Sequence, residues 1–597
     1  MTPRFPVASL ATLLTLLAAC SDKDNEGLDT AADADTDADT DGDTDADTDA
    51  DTDVDTEDMA EELCFVSVTC PSDVIDEPKL PCAMVVTNQL DETVYTGPAG
   101  LELRGRSSIA FPKKQYSVEL REYSELPVWP GSTWRYNADG VDLGTAWRES
   151  SYDDASWASA PGQIGYGTPY LGSTISPAPG AVTTYFRYEF SPHSIPDIET
   201  LRVGVLRNDG VAVYLNGEEI LRDNLPNNAS YDTLAEETIN FAQEILWITA
   251  EVDKTLLLDG TNVLAVEMHQ VDPASPDMRF DLYLEGAGAT ASTNLLGMGS
   301  EDDWILSGQY VDRSLFRNRF AFDVFQSFGD EERYAPESHF CELNLDGEYM
   351  GIYTLGERIE QDDDRVNIGE GGFIVKLDDA ADGFYPNGVG YGSWQVEYPS
   401  DGTGLDVITA QLSGFEEAVL GNPEEIFDWL DLDSTVDWVI LNELMKNHDA
   451  YLLSVYLWRD DTGKMFLTPW DLDLSMGYPY TDCGYTGWLN RAYTDLAGVE
   501  HDIAFIQAFA SVPAFQEALV TRWNELRTDE LSDATLLGRI EDYDATLAPA
   551  IEANFEVWPI EDIVFQTDFV ADWLCPITSY EDEHQRTLDF LTGRLAW

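Results

Sequence analysis

STVDWVILNELMKNHDAYLLSVYLWRDDTGKMFLTPWDLDLSMG, residues 434–477, changes its hydrophobic period along its length and so lays out a helix followed by two strands. Val436, Ile440 and Leu444 recur at helical spacing. Past Lys446-Asn447-His448-Asp449, SVYLWRD reads as a strand, Thr462-Gly463 as a turn and MFLTPW as a second strand. Asp471 and Asp473 come next, on a piece expected to be extended, one to bind metal while the other braces the loop. Carboxylate oxygens, with phosphate oxygens completing the shell, suit magnesium. Asp449, just beyond the helix, is placed to orient or deprotonate a hydroxyl nucleophile. Two acids about twenty residues apart match the catalytic and metal loops of phosphoryl transfer. In a chain with 113 Asp and Glu, any one of them reads equally well as solvated surface charge, but the apolar Pro469-Trp470 before Asp471 weakens that reading.

Upstream, residues 101–121 gather Arg104, Arg106, Lys113, Lys114 and Arg121 in a chain otherwise poor in positive charge. Arg104-Gly105-Arg106-Ser107-Ser108 reads as a tight turn and KKQYSVEL as a strand that begins with its two lysines. Turn amides and a lysine are a fit for an anion, phosphate above all, against the alternative of a solvated basic loop. SLFRNRFAFDVFQSF (314–328) has helical spacing, with Phe316, Phe320 and Val324 on one face. HFCELNLDGEYMGIYTLGERIEQDDDRVNI (339–368) reads as strand, Asp-Gly turn and strand, with Glu357 directly after the second strand, where it is either surface charge or the partner of a phosphate-binding lysine. GGFIVKLDD (371–379) is another strand.

Between these flanks the pattern changes to short strands and turns. TTYFRYEF (183–190), TLRVGVLRNDGVAVYLNGEEI (200–220) and TNVLAVEMHQ (261–270) are strand-rich runs broken by Asn-Asp-Gly and Asn-Gly. Residues 130–288 are therefore expected to form an inserted antiparallel sandwich or jelly roll, since neither flank closes by itself. DGVAVYLNG, NVLAVEMHQ and MRFDLYLEG resemble strands of galactose-binding-like jelly rolls. That resemblance implies a glycan or a surface protein as ligand, although no dedicated sugar clamp is visible and a spacer or docking role fits as well.

The chain opens MTPRFPVASLATLLTLLAAC, with Arg4 ahead of an apolar run too short to span a bilayer. Leu17-Ala18-Ala19-Cys20 resembles a bacterial lipobox, which implies a signal peptide over 1–20, diacylation of Cys20 and an exported protein anchored at the outer membrane or cell surface. Residues 21–62 hold 20 acids and one lysine, hence −19 of the formal −81. With little to bury and strong self-repulsion they are expected to form a hydrated stalk. The stalk is favoured over a calcium module, which would need a recurring turn glycine and a terminal bidentate acid. So acidic a chain repels nucleic acid and anionic membrane and favours a basic protein segment as partner. Without Cys20, six cysteines remain, at 64, 70, 82, 341, 483 and 575, enough for three disulfides among fifteen connectivities, with Cys64, Cys70 and Cys82 stapling the start of the folded part.

RGRSSIAFPKKQYSVEL, SLFRNRFAFDVF, YAPESHFCELNLDGEYMGIYTLGERIE with DRVNI, GGFIVKLD, NHDAYLLSVYLWRD and PWDLDLSMG, in that order, resemble the CotH kinase family, atypical kinases named after spore coat protein H. A helix near YEDEHQRTLDFLTGRL would complete the domain. The resemblance implies an α+β fold in which a protein-kinase-like domain, 63–125 and 292–597, is interrupted by the sandwich. It implies ATP- and magnesium-dependent phosphorylation of a protein Ser or Thr, with Asp449 as catalytic acid and Asp471 as metal ligand, assisted by Asp473. Lys113 or Lys114, with Arg104, Arg106 and Glu357, would serve the nucleotide. One position departs from the kinase pattern: five residues after Asp449, where an Asn ligates a second metal ion, this chain has Ser454. Asn447 or water then takes that place, or the fold survives as a non-catalytic surface adhesin or scaffold.

Overall fold

A strand that alternates buried and exposed side chains needs a second layer to cover its apolar face, and two such solutions occur in the first unit of the chain. In this computed structural model the described residues are 63–597, except 106–107, 330–332, 370, 379–384, 387–392, 401, 448, 461–462, 478–483, 488, 490–492, 495–499, 502–503 and 564–576. They divide into two compact units, one of Cys64–Gly308 with Ser338–Arg358, the other of Gln309–Glu337 with Ile359–Trp597. The class is α+β. The expected Cys20 anchor, the acidic stalk, Arg106, Cys483 and Cys575 lie outside the described residues. Among the described residues no helix is long and apolar enough to cross a membrane.

In the first unit a closed barrel runs in the order Cys64–Thr69, Leu80–Thr87, Thr93–Arg104, Gln115–Leu120, Asp303–Ser307, Glu348–Glu357 and Ser338–Leu345. Its inward residues, Val66, Met84, Leu101, Val118, Leu306 and Leu355 among them, form one core. Closure comes from parallel pairing of Cys64–Thr69 with Ser338–Leu345, where Cys64 faces Cys341 and the two form a disulfide. Cys70–Cys82 is the second bridge, so two of the three early cysteines close a short loop and the third reaches a strand far along the chain.

The strands on either side of the inserted segment, Gln115–Leu120 and Asp303–Ser307, pair with each other. The segment between them is a sandwich. One sheet runs Glu218–Asp223, Gly210–Leu215, Asn262–His269, Thr183–Phe190, Thr133–Asn137 and Ala158–Pro161; the other has Ile248–Val252, Thr200–Asn208, Met278–Ala287, Ile164–Tyr166 and Ser173–Thr174, with Ser124–Val128 also on Met278–Ala287. Their inner faces share Trp134, Phe186, Val213, Val266, Phe280 and Leu282. Arg121, 3% exposed, ties barrel to sandwich, its Nη1 donating to Glu285 Oε1 at 2.7 Å and its Nε to Glu119.

The second unit is built on a sheet in the order Tyr385–Pro386, Ser393–Tyr398, Phe373–Asp378, Val455–Arg459 and Met465–Thr468. The Leu432–Met445 helix is buried from Ser434 onward on every side, its polar Asp437, Asn442 and Glu443 included. Asp431 caps it by accepting from Ser434 N at 2.9 Å, and Lys446 ends it in the left-handed region. The expected helix around Phe316, Phe320 and Val324 spans Arg317–Gln326, with all three side chains buried.

Within the sandwich, Asp281 is 2% exposed and accepts from Gly131 N at 2.9 Å and Leu282 N at 3.0 Å. Burial outweighs these bonds and pushes the carboxyl up to about 7 from its ordinary 3.8. Between those values the native state holds more protons than the unfolded chain, so the contribution to stability is complete at the low end and declines as pH rises to about 7. Calorimetric unfolding at pH 4.5 and 7.5 should show Asp281→Asn gaining on wild type at the higher pH, by on the order of 3 kcal/mol.

Candidate active site

Two hairpin ends and one loop in the second unit bring the acids of the 434–477 stretch into one electrostatic neighbourhood. The Val455–Arg459 and Met465–Thr468 strands pair antiparallel, which returns the chain to the level of Asp449. Pro469 cannot donate to the ladder, and the strand stops at Thr468. The segment after Pro469 is a turn rather than the extended piece expected from its sequence: Asp471 has φ of 61° and Asp473 lies in a turn. A left-handed, non-glycine residue is uncommon and persists where its surroundings over-determine it.

Those surroundings are specific. Leu472 N donates to Asn318 Oδ1 at 2.6 Å, Met476 N to the Met445 carbonyl at 2.7 Å, and Ser454 Oγ to Asp471 Oδ2 at 3.0 Å. Arg317, fully buried, donates through Nε to the Ser475 carbonyl at 2.9 Å and through its two terminal nitrogens to Asp312 and to Glu583 Oε1, the latter at 2.5 Å. Burial opposes the charge on Arg317, but its two carboxylates more than compensate and hold its pKa above the usual value. Gly477 has φ of 73°, and a Cβ there would meet the Phe590 ring at 2.9 Å.

The preceding loop is held from inside. Asn447 is 3% exposed; its Nδ2 donates to Asn442 Oδ1 at 3.0 Å and its Oδ1 accepts from Asp449 N at 3.3 Å, so it orients the chain at Asp449. The Asp449 carboxyl is pushed up to about 7, first by burial and then by the charges of Asp471 and Asp378. Asp473 is raised well above the carboxylate range by burial and by Asp471, Asp312 and Asp449, against the pull of Arg317. Asp449, Asp471 and Asp473 therefore sense one another, and Asp378 and Asp312 join them.

Lys376 and Asp378, on the Phe373–Asp378 strand, are site residues that sequence reasoning missed. They form an ion pair, and Lys376 Nζ lies 5.7 Å from the centre of the Tyr456 ring. Burial pulls the Lys376 pKa down, but Tyr456, Asp378 and Asp471 outweigh it and raise it. The available signal was the i, i+2 pair of opposite charges in a strand otherwise buried, which places both on one face.

The basic candidates belong to the first unit. Lys113 and Lys114 precede the strand, which begins at Gln115. Lys113 is 1% exposed, donates from Nζ to the Ile352 carbonyl at 2.6 Å and sits 5.0 Å from the Tyr353 ring centre. Lys114 Nζ donates to the Ile109 carbonyl at 2.6 Å. Arg104 ends the Thr93–Arg104 strand, and Glu357, buried, ends Glu348–Glu357 opposite Trp304.

Among the described residues no group of three or more His, Cys, Asp or Glu is arranged to hold a metal ion. Magnesium asks for less, one or two carboxylates with substrate phosphates and water. Asp471 accepts from Ser454 Oγ at 3.0 Å and its charge is felt by Asp449 and Asp473, a repulsion that a divalent cation on Asp471 would relieve, so the residues present fit such an ion.

A family model described as CotH kinase protein matches residues 281–597. Over 181 residues, 29% of this chain, the sequence is 23% identical to the inner spore coat protein H of Bacillus subtilis (strain 168); the match takes in 49% of that protein, so the chain spans about half the length of the curated relative. Solved structures with partial likeness include a Bacteroides uniformis β-glucuronidase (16% identity, 28% of this chain and 18% of that one, TM-score 0.19), a β-glucuronidase from an uncultured Clostridium sp. (13%, 31% and 33%, TM-score 0.19) and one from Ruminococcus gnavus in complex with D-glucuronic acid (11%, 44% and 37%, TM-score 0.21). TM-scores this low carry no argument.

Replacing Arg317 with Met leaves Asp312 buried without its cation and leaves Glu583 with Arg586 alone. Urea unfolding should register a loss of about 3–5 kcal/mol. Arg317→Lys should recover little of it, because an ammonium cannot reproduce three divergent bonds from one planar fork.

Proposed function

The chain belongs to the CotH kinase protein family, and on that footing we propose that it is an atypical protein kinase, transferring a phosphoryl group from ATP to a Ser or Thr hydroxyl of a protein. The observation that carries this reading is the shared field of Asp449, Asp471 and Asp473 in the second unit. Its kinase-like domain is then the barrel together with the helical unit, interrupted by the sandwich.

When bound, ATP and magnesium supply the transferable phosphoryl group and the neutralisation of its charge. Asp471 is the residue that would hold the metal, with Asp473 behind it. Asp449 accepts the proton of the substrate hydroxyl as its oxygen bonds to phosphorus and the bond to the departing ADP oxygen breaks. Burial raises the Asp449 carboxyl above its ordinary value, which makes it a stronger proton acceptor than a solvated aspartate. Ser454 steadies Asp471 through its hydroxyl, and Asn447 fixes the backbone that carries Asp449. The acidic surface selects a basic segment in the protein substrate. Export and a lipid on Cys20 put the reaction at the bacterial surface, and the sandwich docks a glycan or a surface protein.

One observation favours a second reading, a pseudokinase serving as adhesin or scaffold. The Ser454 hydroxyl stands where a carboxamide ligand is expected and is bonded to Asp471.

Purified chain incubated with labelled ATP and magnesium should label itself or a basic acceptor protein, and Asp449→Asn should cut the rate by at least about 100-fold. Absence of labelling, together with nucleotide binding indifferent to Asp471→Asn, would leave the scaffold reading in place.

A further inference from the structure

We infer that Lys376 is a phosphate-contacting residue of this site, held in reserve on Asp378 and passed to the phosphate chain of the nucleotide when that arrives. The inference rests on the kinase reading of the same acids and adds to it a cation from the second unit's own sheet.

Lys376 stands in register with Tyr456 on the neighbouring strand, and its four-carbon stem brings Nζ over that ring. Tyr456 in turn meets Trp470 edge to face at 5.8 Å, and Trp470 immediately precedes Asp471. Lysine, aromatic pair and metal-loop acid are thus packed in sequence. Phe373, Ile374, Val375 and Leu377 on the same strand are buried, so a lysine here is costly unless it has a partner, and Asp378 supplies one.

A purely structural ion pair would be satisfied at that point. This pair instead lies among further acids: Lys376 is within electrostatic reach of Asp471, and Asp378 is within reach of Asp449. Arg317, the buried cation near Asp473, is committed to Asp312, Glu583 and the Ser475 carbonyl. Lys376 keeps 18% of its side chain exposed and Asp378 25%, so the pair is not sealed from solvent. An ammonium on a flexible stem can exchange one oxyanion for another without moving the strand. With a nucleotide present, phosphate oxygens replace the Asp378 carboxylate as its partner.

Tripolyphosphate with magnesium is the probe, titrated into the full chain and read by calorimetry, with phosphoryl transfer measured separately. Lys376→Met keeps the packing over Tyr456 and removes only the charge. Its affinity for tripolyphosphate should fall at least about 10-fold while adenosine binding is unchanged, Lys376→Arg should restore part of the loss, and Asp378→Asn should tighten binding. Equal tripolyphosphate affinity in Lys376→Met and wild type, weaker binding in Asp378→Asn, or no binding by wild type overturns the inference. The kinase reading fails on a different result, a wild-type chain that binds the probe but transfers no phosphoryl group.

Discussion

Everything proposed for the second unit depends on one buried guanidinium. Arg317 is the first residue of its helix, yet it reaches the Ser475 carbonyl in the loop after Asp471 and Glu583 in the C-terminal helix. Three segments far apart in the chain are fixed against one another by a single planar group. The desolvation of that charge is tolerable because every terminal nitrogen has an acceptor. Without it the loop of Asp471 to Gly477 would lose one of the contacts that hold its backbone, the bond at the Ser475 carbonyl.

That turn decides the electrostatics. It gathers Asp471 and Asp473 near Asp449, Asp378 and Asp312, and mutual repulsion together with burial drives Asp449 and Asp473 upward. A protein does not ordinarily leave such an excess uncompensated, and perturbed carboxyls of this kind cluster at functional sites. The two cations set against them differ in kind. Arg317 is sealed in and serves the scaffold, whereas Lys376 is partly exposed and paired with a single acid.

Much of this was legible in the sequence because the signals were local. TTYFRYEF forms the Thr183–Phe190 strand, and the helix predicted around Ile440 and Leu444 is the buried Leu432–Met445. The ordered motifs pointed to the family whose model matches. Other features had no local signal. Cys64 finds Cys341 only because the barrel closes through a parallel pair, and no spacing rule selects that connection from fifteen. Alternating acids and leucines at Asp471 to Leu474 suit an extended strand; Pro469, the bond donated by Arg317 and the one accepted by Asn318 override that pattern. Lys376 escaped notice because one lysine in a strand carries no meaning until Tyr456 and Asp471 are known to lie beside it.

The central claim is that the acids of the second unit form one cation site completed by phosphate. Manganese, a paramagnetic stand-in for magnesium, reports this directly through the relaxation of solvent protons as it binds with a non-hydrolysable ATP analogue. Manganese binding is predicted to require the nucleotide and to be lost in Asp471→Asn, with Asp76→Asn in the first unit as an unaffected control. Equal manganese binding by wild type and Asp471→Asn would contradict the claim.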